Sequence, residues 1–84
     1  MDNIDREKVF WREVDGEMVI LNIESGFYYS LDETASFIWS RLAGGQSPEN
    51  IVDDMVKVYE VSVATAQKDL EIFLEYFRKE SLIR

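Results

Sequence analysis

The stretch from Gly26 to Trp39 constrains the fold of this chain most, because its pattern changes from strand to helix within one residue. Phe27 to Leu31 alternates as a strand does, and it follows a glycine that suits a turn with positive φ. Asp32 is typical of a helix N-cap, and apolar residues recur at helical spacing after it. The stretch therefore predicts a strand that leads directly into a helix.

Two more strands are predicted before this stretch. Asp15-Gly16 is a strong signal for a two-residue hairpin turn that places Val14 opposite Glu17. Glu24 to Gly26 fits a three-residue loop that places Ile23 opposite Phe27. This register gathers apolar residues on one face, which we expect to be the core side of the sheet. They are Phe10, Val14, Val19, Leu21, Ile23, Phe27, Tyr29 and Leu31.

The opposite face of the predicted sheet is more apolar than contact with water requires. It carries Val9, Trp11, Met18, Ile20 and Tyr28. A dimer contact would explain this composition, and so would partial cover by the N-terminal tail. Residues 1–7 are polar, and we expect them to be flexible at one end of a single domain that spans residues 1–84.

The rest of the chain predicts three helices. Gly44-Gly45 ends the first, Ser47-Pro48 begins the second and Ser62 caps the third. The apolar stripe of the third helix includes Val63, Ala66, Leu70, Phe73, Leu74 and Phe77, and Ser81-Leu82-Ile83 is expected to tuck against the core. The predicted fold is α+β and winged helix-turn-helix-like, with a three-stranded antiparallel sheet followed by three helices.

Composition excludes several classes of function. The 84 residues contain no cysteine and no histidine, which removes disulfides, thiol catalysis and the commonest metal ligand. No signal peptide and no membrane-spanning run is present, so we expect a soluble, cytoplasmic protein without a cofactor or a membrane partner. The net charge of −8 disfavours nucleic acid.

Catalysis and DNA binding are both poorly supported. The candidate carboxylate pairs are Asp53 with Asp54 and Glu71 with Glu75. They lie on faces that are predicted to be solvated, so no enzyme activity is expected. A DNA-reading helix normally carries basic or amide side chains near its start. Here the third helix has Gln67 and Lys68 early but continues with Asp69 and further acidic residues.

Recognition of a peptide is the better supported function. In a simple meander the third strand has one bonded neighbour, and Phe27 to Leu31 contains no Lys or Pro to protect its free edge. A partner peptide can add there as a strand, unless the C-terminal segment or a loop covers the edge. A proline at Tyr29 would block such pairing if that amide faces outward. Ile72 and Tyr76 are either edge-of-core residues or one wall of a groove beside this strand.

Several motifs in order resemble the PqqD-like family of RiPP recognition elements, over residues 9 to 84. The matching pieces are Asp15-Gly16 with Val19 to Ile23, Glu24 to Leu31, Ile38-Trp39, Ser47 to Val52, Asp69 with Phe73-Leu74, Phe77, and Leu82-Ile83. Two positions depart from the family pattern. Asp32 stands where Asn is frequent, and Ser81 stands where Gly is frequent.

The resemblance implies a protein that is not an enzyme and that captures the leader of a ribosomally made precursor peptide by strand addition. It assigns the backbone edge to Phe27, Tyr28, Tyr29, Ser30 and Leu31, and the helix wall to Asp69, Ile72, Phe73 and Tyr76. The implied partner is a modifying enzyme, as with the leader protease of lasso-peptide pathways. One alternative is a chaperone that presents a precursor to a radical-SAM enzyme in quinone-cofactor biosynthesis. Another is a winged-helix DNA-binding regulator.

Overall fold

Three antiparallel strands precede three helices in the computed structural model, which describes residues 3–84. The strands are β1 (Val9–Val14), β2 (Glu17–Asn22) and β3 (Tyr28–Ser30), and the helices are α1 (Glu33–Ala43), α2 (Pro48–Tyr59) and α3 (Val63–Lys79). The sheet has the order β1-β2-β3, with antiparallel pairing throughout. The predicted α+β, winged helix-turn-helix-like fold is confirmed.

Each helix begins at the cap that the sequence predicts. The side chains of Asp32, Ser47 and Ser62 each accept a hydrogen bond from the backbone amide three residues later. Such a cap satisfies an amide that has no partner inside the helix, and it stabilises the protein by about 1 kcal/mol. The caps therefore set where the three helices start, independently of how they pack.

The register of the sheet follows the prediction between β1 and β2 but not between β2 and β3. Val14 lies opposite Glu17, as expected. Ile20 lies opposite Tyr29, and the amide of Asn22 donates to the carbonyl of Phe27 at 3.0 Å. The expected pairing of Ile23 with Phe27 is wrong by one residue, because the connecting loop has four residues rather than three.

The side chain of Asn22 builds the longer loop. Its Oδ1 accepts hydrogen bonds from the amides of Glu24 and Ser25, and its carbonyl accepts one from Gly26. Gly26 completes the turn with φ +79°, a conformation that glycine adopts without a steric penalty. Asparagine side chains commonly bond to amides two and three residues ahead, which favours this turn over the three-residue alternative.

The shift moves the core to the other face of β1 and β2. Val9, Met18 and Ile20 are buried, whereas they were expected on the opposite face. Among the residues expected in the core, Phe10, Val14, Ile23 and Phe27 are exposed, Val19 and Leu21 are half-buried, and only Tyr29 and Leu31 are buried. Because side chains alternate along a strand, a one-residue error exchanges the two faces.

Trp39 of α1 lies at the centre of the core, fully buried. Its ring makes edge-to-face contacts with Trp11, at 5.6 Å between ring centroids, and with Phe77, at 5.1 Å. Sheet and helices therefore meet around this tryptophan. Since Trp11 packs inward, and Met18 and Ile20 are buried, these residues no longer argue for a dimer.

The two ends of the chain pair with each other. Ile4 forms a β-bridge with Ile83, and the amide of Arg84 donates to the carbonyl of Asn3 at 2.8 Å. The Arg84 side chain donates to Asp5 at 3.2 Å and lowers the pKa of that carboxyl. Residues 3–5 are thus bonded to the C-terminal segment, in contrast to the flexible segment 1–7 that was expected. Residues 1 and 2 lie outside the described residues.

The C-terminal segment and the stripe of α3 follow the prediction closely. Leu82 and Ile83 are buried, and so are Ala66, Leu70, Leu74 and Phe77 of the helix. Phe73 is half-buried against the core. Val63 is the exception, since the first residue of α3 is half-exposed.

We expect Gly26→Ala to lower the free energy of unfolding by about 1 kcal/mol, because a side chain is unfavourable at positive φ. A Cβ there would meet no atom within 4 Å, so the cost comes from the backbone alone. Gly44→Ala is the matched control, since Gly44 has φ −78° and a Cβ there lies at an ordinary 3.5 Å from two carbonyl oxygens. Urea unfolding compares the two variants. An equal loss in both would contradict the role given to Gly26.

Candidate functional site

β3 is the last strand on its side of the sheet, and its outer edge is unpaired. Phe27 and Leu31 are bonded to β2, through Asn22 and Met18 at 3.0 and 2.9 Å. Because backbone groups alternate in direction along an antiparallel strand, the amides and carbonyls of Tyr28 and Ser30 point away from β2. Within residues 3–84, no backbone group bonds to them. This edge is a template for a further strand.

The amide of Tyr29 faces the opposite way. Tyr29 lies directly opposite Ile20, between the two bonded pairs that flank it, so its amide points to β2. A proline at this position would break the existing sheet instead of blocking the free edge. The outward positions are Tyr28 and Ser30.

The C-terminal segment does not cover this edge. It pairs with residues 3–5, through the bridge of Ile83 to Ile4, and none of its backbone hydrogen bonds goes to β3. Ser81, the residue that begins the segment, lies beside the first part of β3 without a backbone bond to it. The expected alternative, cover by the C-terminal segment, does not hold.

Ser36 of α1 holds the end of β3 in place. Its hydroxyl donates to the carbonyl of Leu31 at 3.1 Å and accepts from the amide of Met18 at 2.8 Å. All three residues are buried, so these bonds join β2, the end of β3 and the start of α1 away from water. Ser36 was not among the residues predicted from the sequence. Its position among the apolar residues of α1 could have indicated a buried polar group with a specific partner.

The four residues predicted to form a wall of the site lie on α3. Helical spacing places Asp69, Ile72 and Tyr76 on the same side of the helix, whereas Gln67 and Glu71 line a cleft toward α2. Ile72 and Tyr76 expose about half of their surface, and Asp69 is half-buried. The ring of Tyr76 rests 5.9 Å from the ring of Phe77, and Phe73 lies 6.4 Å from the same ring. The wall is therefore apolar and anchored on the core.

Tyr29 and Glu80 connect β3 to the end of α3. The Tyr29 hydroxyl donates to Oε1 of Glu80 at 3.1 Å, with Tyr29 only 9% exposed. Burial raises the pKa of Tyr29, the bond to Glu80 raises it further, and Tyr76 lies near enough to add to the effect. No Cα atom of β3 lies within 8 Å of a Cα atom of α3. The strand and the helix therefore meet through side chains and not through close backbone approach.

Two cavities flank β3. The first, about 330 Å³, opens where the start of β3 meets the end of α3, and its lining includes Asn22, Phe27, Tyr29 and Glu80. The second, about 270 Å³, lies on the outer face of the sheet between Phe10 and Tyr28, which are 56% and 71% exposed. The free edge runs between them. A strand added there would have side chains on both sides.

The predicted site residues belong either to β3 and its flanking positions or to α3. Tyr29 lies near enough to Tyr76 for an electrostatic interaction, and Phe27 lines the first cavity. Tyr28 and Ser30 offer the outward backbone groups, while Leu31 is buried beneath them. Asp69, Ile72 and Phe73 share the side of α3 that carries Tyr76, and no hydrogen bond joins Asp69 to β3 within residues 3–84.

Glu80 is the residue of this site that the sequence analysis missed. It lies four residues after Tyr76 and so on the same side of the helix. That spacing was the available signal. Its contact with Tyr29 depends on how α3 packs, which no local pattern reveals.

Neither a metal site nor a membrane helix is found in the described part of the chain. Residues 3–84 contain no cluster of three or more metal-binding side chains. None of their helices combines the length and the apolar character that crossing a membrane requires.

The family model described as coenzyme PQQ synthesis protein D (PqqD) matches residues 17–83. This chain belongs to the PqqD family. The matched range begins at β2 and includes β3, the loop of Asn22 and the whole of α3. The resemblance that the motifs indicated is thereby confirmed.

Two solved structures are similar to this PqqD-family chain over nearly their whole length. One is TbiB1 in complex with the TbiA(β) leader peptide, with a TM-score of 0.93, 35% identity and coverage of 98% of this chain and 94% of the other. The second is lasso peptide synthetase B1 complexed with the leader peptide, with a TM-score of 0.90, 26% identity and coverage of 99% and 96%. Both were solved with a leader peptide bound. A search of curated proteins found no match.

We expect Tyr29→Phe to make stability less sensitive to alkaline pH. The folded pKa of Tyr29 is raised above its ordinary value of 10.0, so folding favours the neutral phenol. This contribution is complete below about pH 10 and is lost as the pH rises through the folded pKa. Urea unfolding at neutral pH and at several values above pH 10 should show the difference between wild type and variant shrinking.

Tyr28→Phe is the control for this pH series, because Tyr28 is largely exposed. A difference between wild type and Tyr29→Phe that stays constant across the series would contradict the assignment.

Proposed function

We propose that this chain binds the leader segment of a ribosomally synthesised precursor peptide as an added strand on β3, and presents it to a modifying enzyme such as a leader protease. The observation that carries the proposal is the free backbone edge at Tyr28 and Ser30. Membership of the PqqD family supports it, and so do the leader peptides bound in both similar structures.

The leader would lie antiparallel to β3, as every existing strand pair of this sheet is antiparallel. Its backbone would bond to the amides and carbonyls of Tyr28 and Ser30, which contribute affinity without reading side chains. Its side chains would alternate, so residues opposite Tyr29 would point toward α3 and residues opposite Tyr28 toward the outer face. Specificity would then depend on how well alternate leader side chains fit α3 and the outer face of the sheet.

The wall of α3 suits apolar leader side chains. Ile72 and Tyr76 are exposed on one side of α3, and Phe73 is half-buried against the core. Burying such side chains contributes roughly 25 cal/mol for each Å² removed from water. Asp69, at the other end of the wall from Glu80, would accept hydrogen bonds from an amide or a basic group of the leader.

Chemistry on the precursor would belong to the partner enzyme. The groups at the β3 edge are backbone amides, aromatic rings and the carboxylates of Asp69 and Glu80, which hold a peptide but supply no activated nucleophile. Because the precursor is made by ribosomes, we place the complex in the cytoplasm.

Two other functions are less well supported. The family description names coenzyme PQQ synthesis, which suggests presentation to a radical-SAM enzyme, but both similar structures carry leader peptides and one is a lasso peptide synthetase B1. A DNA-binding regulator is disfavoured by the net charge of −8 and by the acidic α3, with Asp69, Glu71 and Glu75.

The direct test is an amide-resolved NMR titration. The probe is the leader of a short precursor encoded beside this chain's gene, with the TbiA(β) leader as a reference peptide and duplex DNA as a control ligand. We expect the largest shifts at residues 27–31 and on the Asp69 to Tyr76 side of α3. Shifts confined to other surfaces, or tight and salt-sensitive retention of DNA, would contradict the proposal.

We expect Ser30→Pro to weaken leader binding at least tenfold, which corresponds to about 1.4 kcal/mol. The substitution removes an outward amide, while the pairing of β3 with β2 is kept because that amide does not face β2. Ser30→Ala retains the amide and is the matched control. Calorimetric titration measures both, and equal affinities of the two variants would remove Ser30 from the binding edge.

We expect Tyr76→Ala to weaken leader binding about tenfold, since it removes an exposed aromatic ring from the proposed wall. Glu75→Ala is the control, because Glu75 is the exposed neighbour on a different side of α3. Fluorescence anisotropy with a labelled leader peptide compares the two, and thermal unfolding confirms that both remain folded. A similar affinity for both variants would exclude α3 as a wall.

A further inference from the structure

Resting on the proposed function, we propose that the cavity between the start of β3 and the end of α3 selects a basic side chain of the leader, and that Glu80 determines this preference. The cavity is an open depression of about 330 Å³, which has room for a long side chain. It adjoins the free edge, so a bound strand would run directly into it.

The direction of the leader decides which of its residues reach the cavity. Phe27 and Glu80 both line it, so the start of β3 lies beside the end of α3. An antiparallel strand on β3 has its C-terminal end at Phe27. The cavity therefore receives the leader where it leaves the sheet, on the way to the segment that the enzyme modifies.

The carboxylate of Glu80 is held in position for this role. One oxygen accepts the hydrogen bond from the buried Tyr29 hydroxyl at 3.1 Å, and within residues 3–84 no donor occupies the other. Glu80 itself is half-buried, and the end of α3 fixes its backbone. A second hydrogen-bond donor can thus reach a preorganised acceptor, which makes a charge-assisted bond favourable.

Asn22 adds a second polar group to the same cavity. Its Oδ1 is used by the loop amides, whereas its amide nitrogen has no acceptor within residues 3–84. Because Asn22 lines the cavity, this nitrogen can donate to a carbonyl of the incoming leader.

Among the charges around the cavity, the carboxylate of Glu80 is the one whose position is fixed. The lining contains two carboxylates, Glu24 and Glu80, and one exposed lysine, Lys79. Glu24 is already paired with Lys8 at 3.2 Å, so Glu80 is the carboxylate left to act on a leader side chain. Lys79 is an exposed, flexible cation that can turn to water, whereas Glu80 is held by Tyr29. A leader Lys or Arg would bond to Glu80, and a leader Asp or Glu would be repelled.

The experiment is a selection from a displayed library of random linear peptides on three forms of the protein: wild type, Glu80→Gln and Glu80→Lys. Glu80→Gln keeps an oxygen that accepts from Tyr29 but removes the charge. Wild type should enrich Lys or Arg at one position on the C-terminal side of the apolar residues. We expect Glu80→Gln to lose this preference and Glu80→Lys to enrich Asp or Glu at that position.

Affinities of the selected peptides make the result quantitative. Replacing the selected Lys or Arg with Glu should weaken binding to wild type about tenfold, as the loss of one charge-assisted hydrogen bond predicts. The same replacement should have little effect on Glu80→Gln. Thermal unfolding of both variants shows whether they are folded, and if Glu80→Lys is not, the comparison of wild type with Glu80→Gln decides.

The outcomes separate this inference from the proposed function. Peptides enriched with the same profile on all three forms would support peptide binding and overturn the role of Glu80. Enrichment on none of the three would remove the proposed function, and the inference would fall with it. A basic preference that persists in Glu80→Gln would assign the selection to another residue and equally overturn the proposal.

Discussion

The hydrogen bonds of Asn22 are the constraint on which the rest of the structure depends. By accepting from the amides of Glu24 and Ser25, the side chain sets a four-residue loop, and the loop sets the register of β3 on β2. That register places Tyr29 opposite Ile20 on the core side. It also points the amides of Tyr28 and Ser30 outward. One side chain thus decides both which sheet face is buried and which backbone groups of β3 face outward.

The outer edge of β3 stays unpaired because the segments that could cover it are bonded to other parts of the protein. The hydroxyl of Ser36 bonds to both Met18 of β2 and Leu31 at the end of β3, so β3 is held without a neighbour on its outer side. The C-terminal segment pairs with residues 3–5, and Leu82 is buried there. An exposed edge normally invites aggregation. Here the net charge of −8 opposes self-association of copies while leaving a peptide free to approach.

In the proposed function, a domain of 84 residues would recognise a peptide without an enclosed pocket. Backbone pairing at β3 would supply affinity that does not depend on the peptide sequence. Selectivity would come from the side of α3, where the ring of Tyr76 is followed by the carboxylate of Glu80. Such a site would favour leaders in which apolar residues are followed by a basic residue.

Local signals determined the elements and their order. Asp32, Ser47 and Ser62 cap the three helices as predicted, and Asp15-Gly16 closes the first hairpin with the expected register. Both features were predictable because caps and tight turns depend only on neighbouring residues. The motifs also indicated the family. The strand and the helix that form the candidate site were therefore predictable from the sequence.

Tertiary packing decided which elements meet, and the turn at Asn22 decided which face of the sheet is buried. Both loop lengths satisfy the alternation of Phe27 to Leu31, so only the bonds made by Asn22 distinguish them, and a one-residue difference exchanges the faces of Phe10 and Ile20. The meeting of Tyr29 with Glu80 spans fifty-one positions of sequence and depends on the packing of α3. Periodicity describes one element at a time, and a site formed between two elements exists only after they have packed.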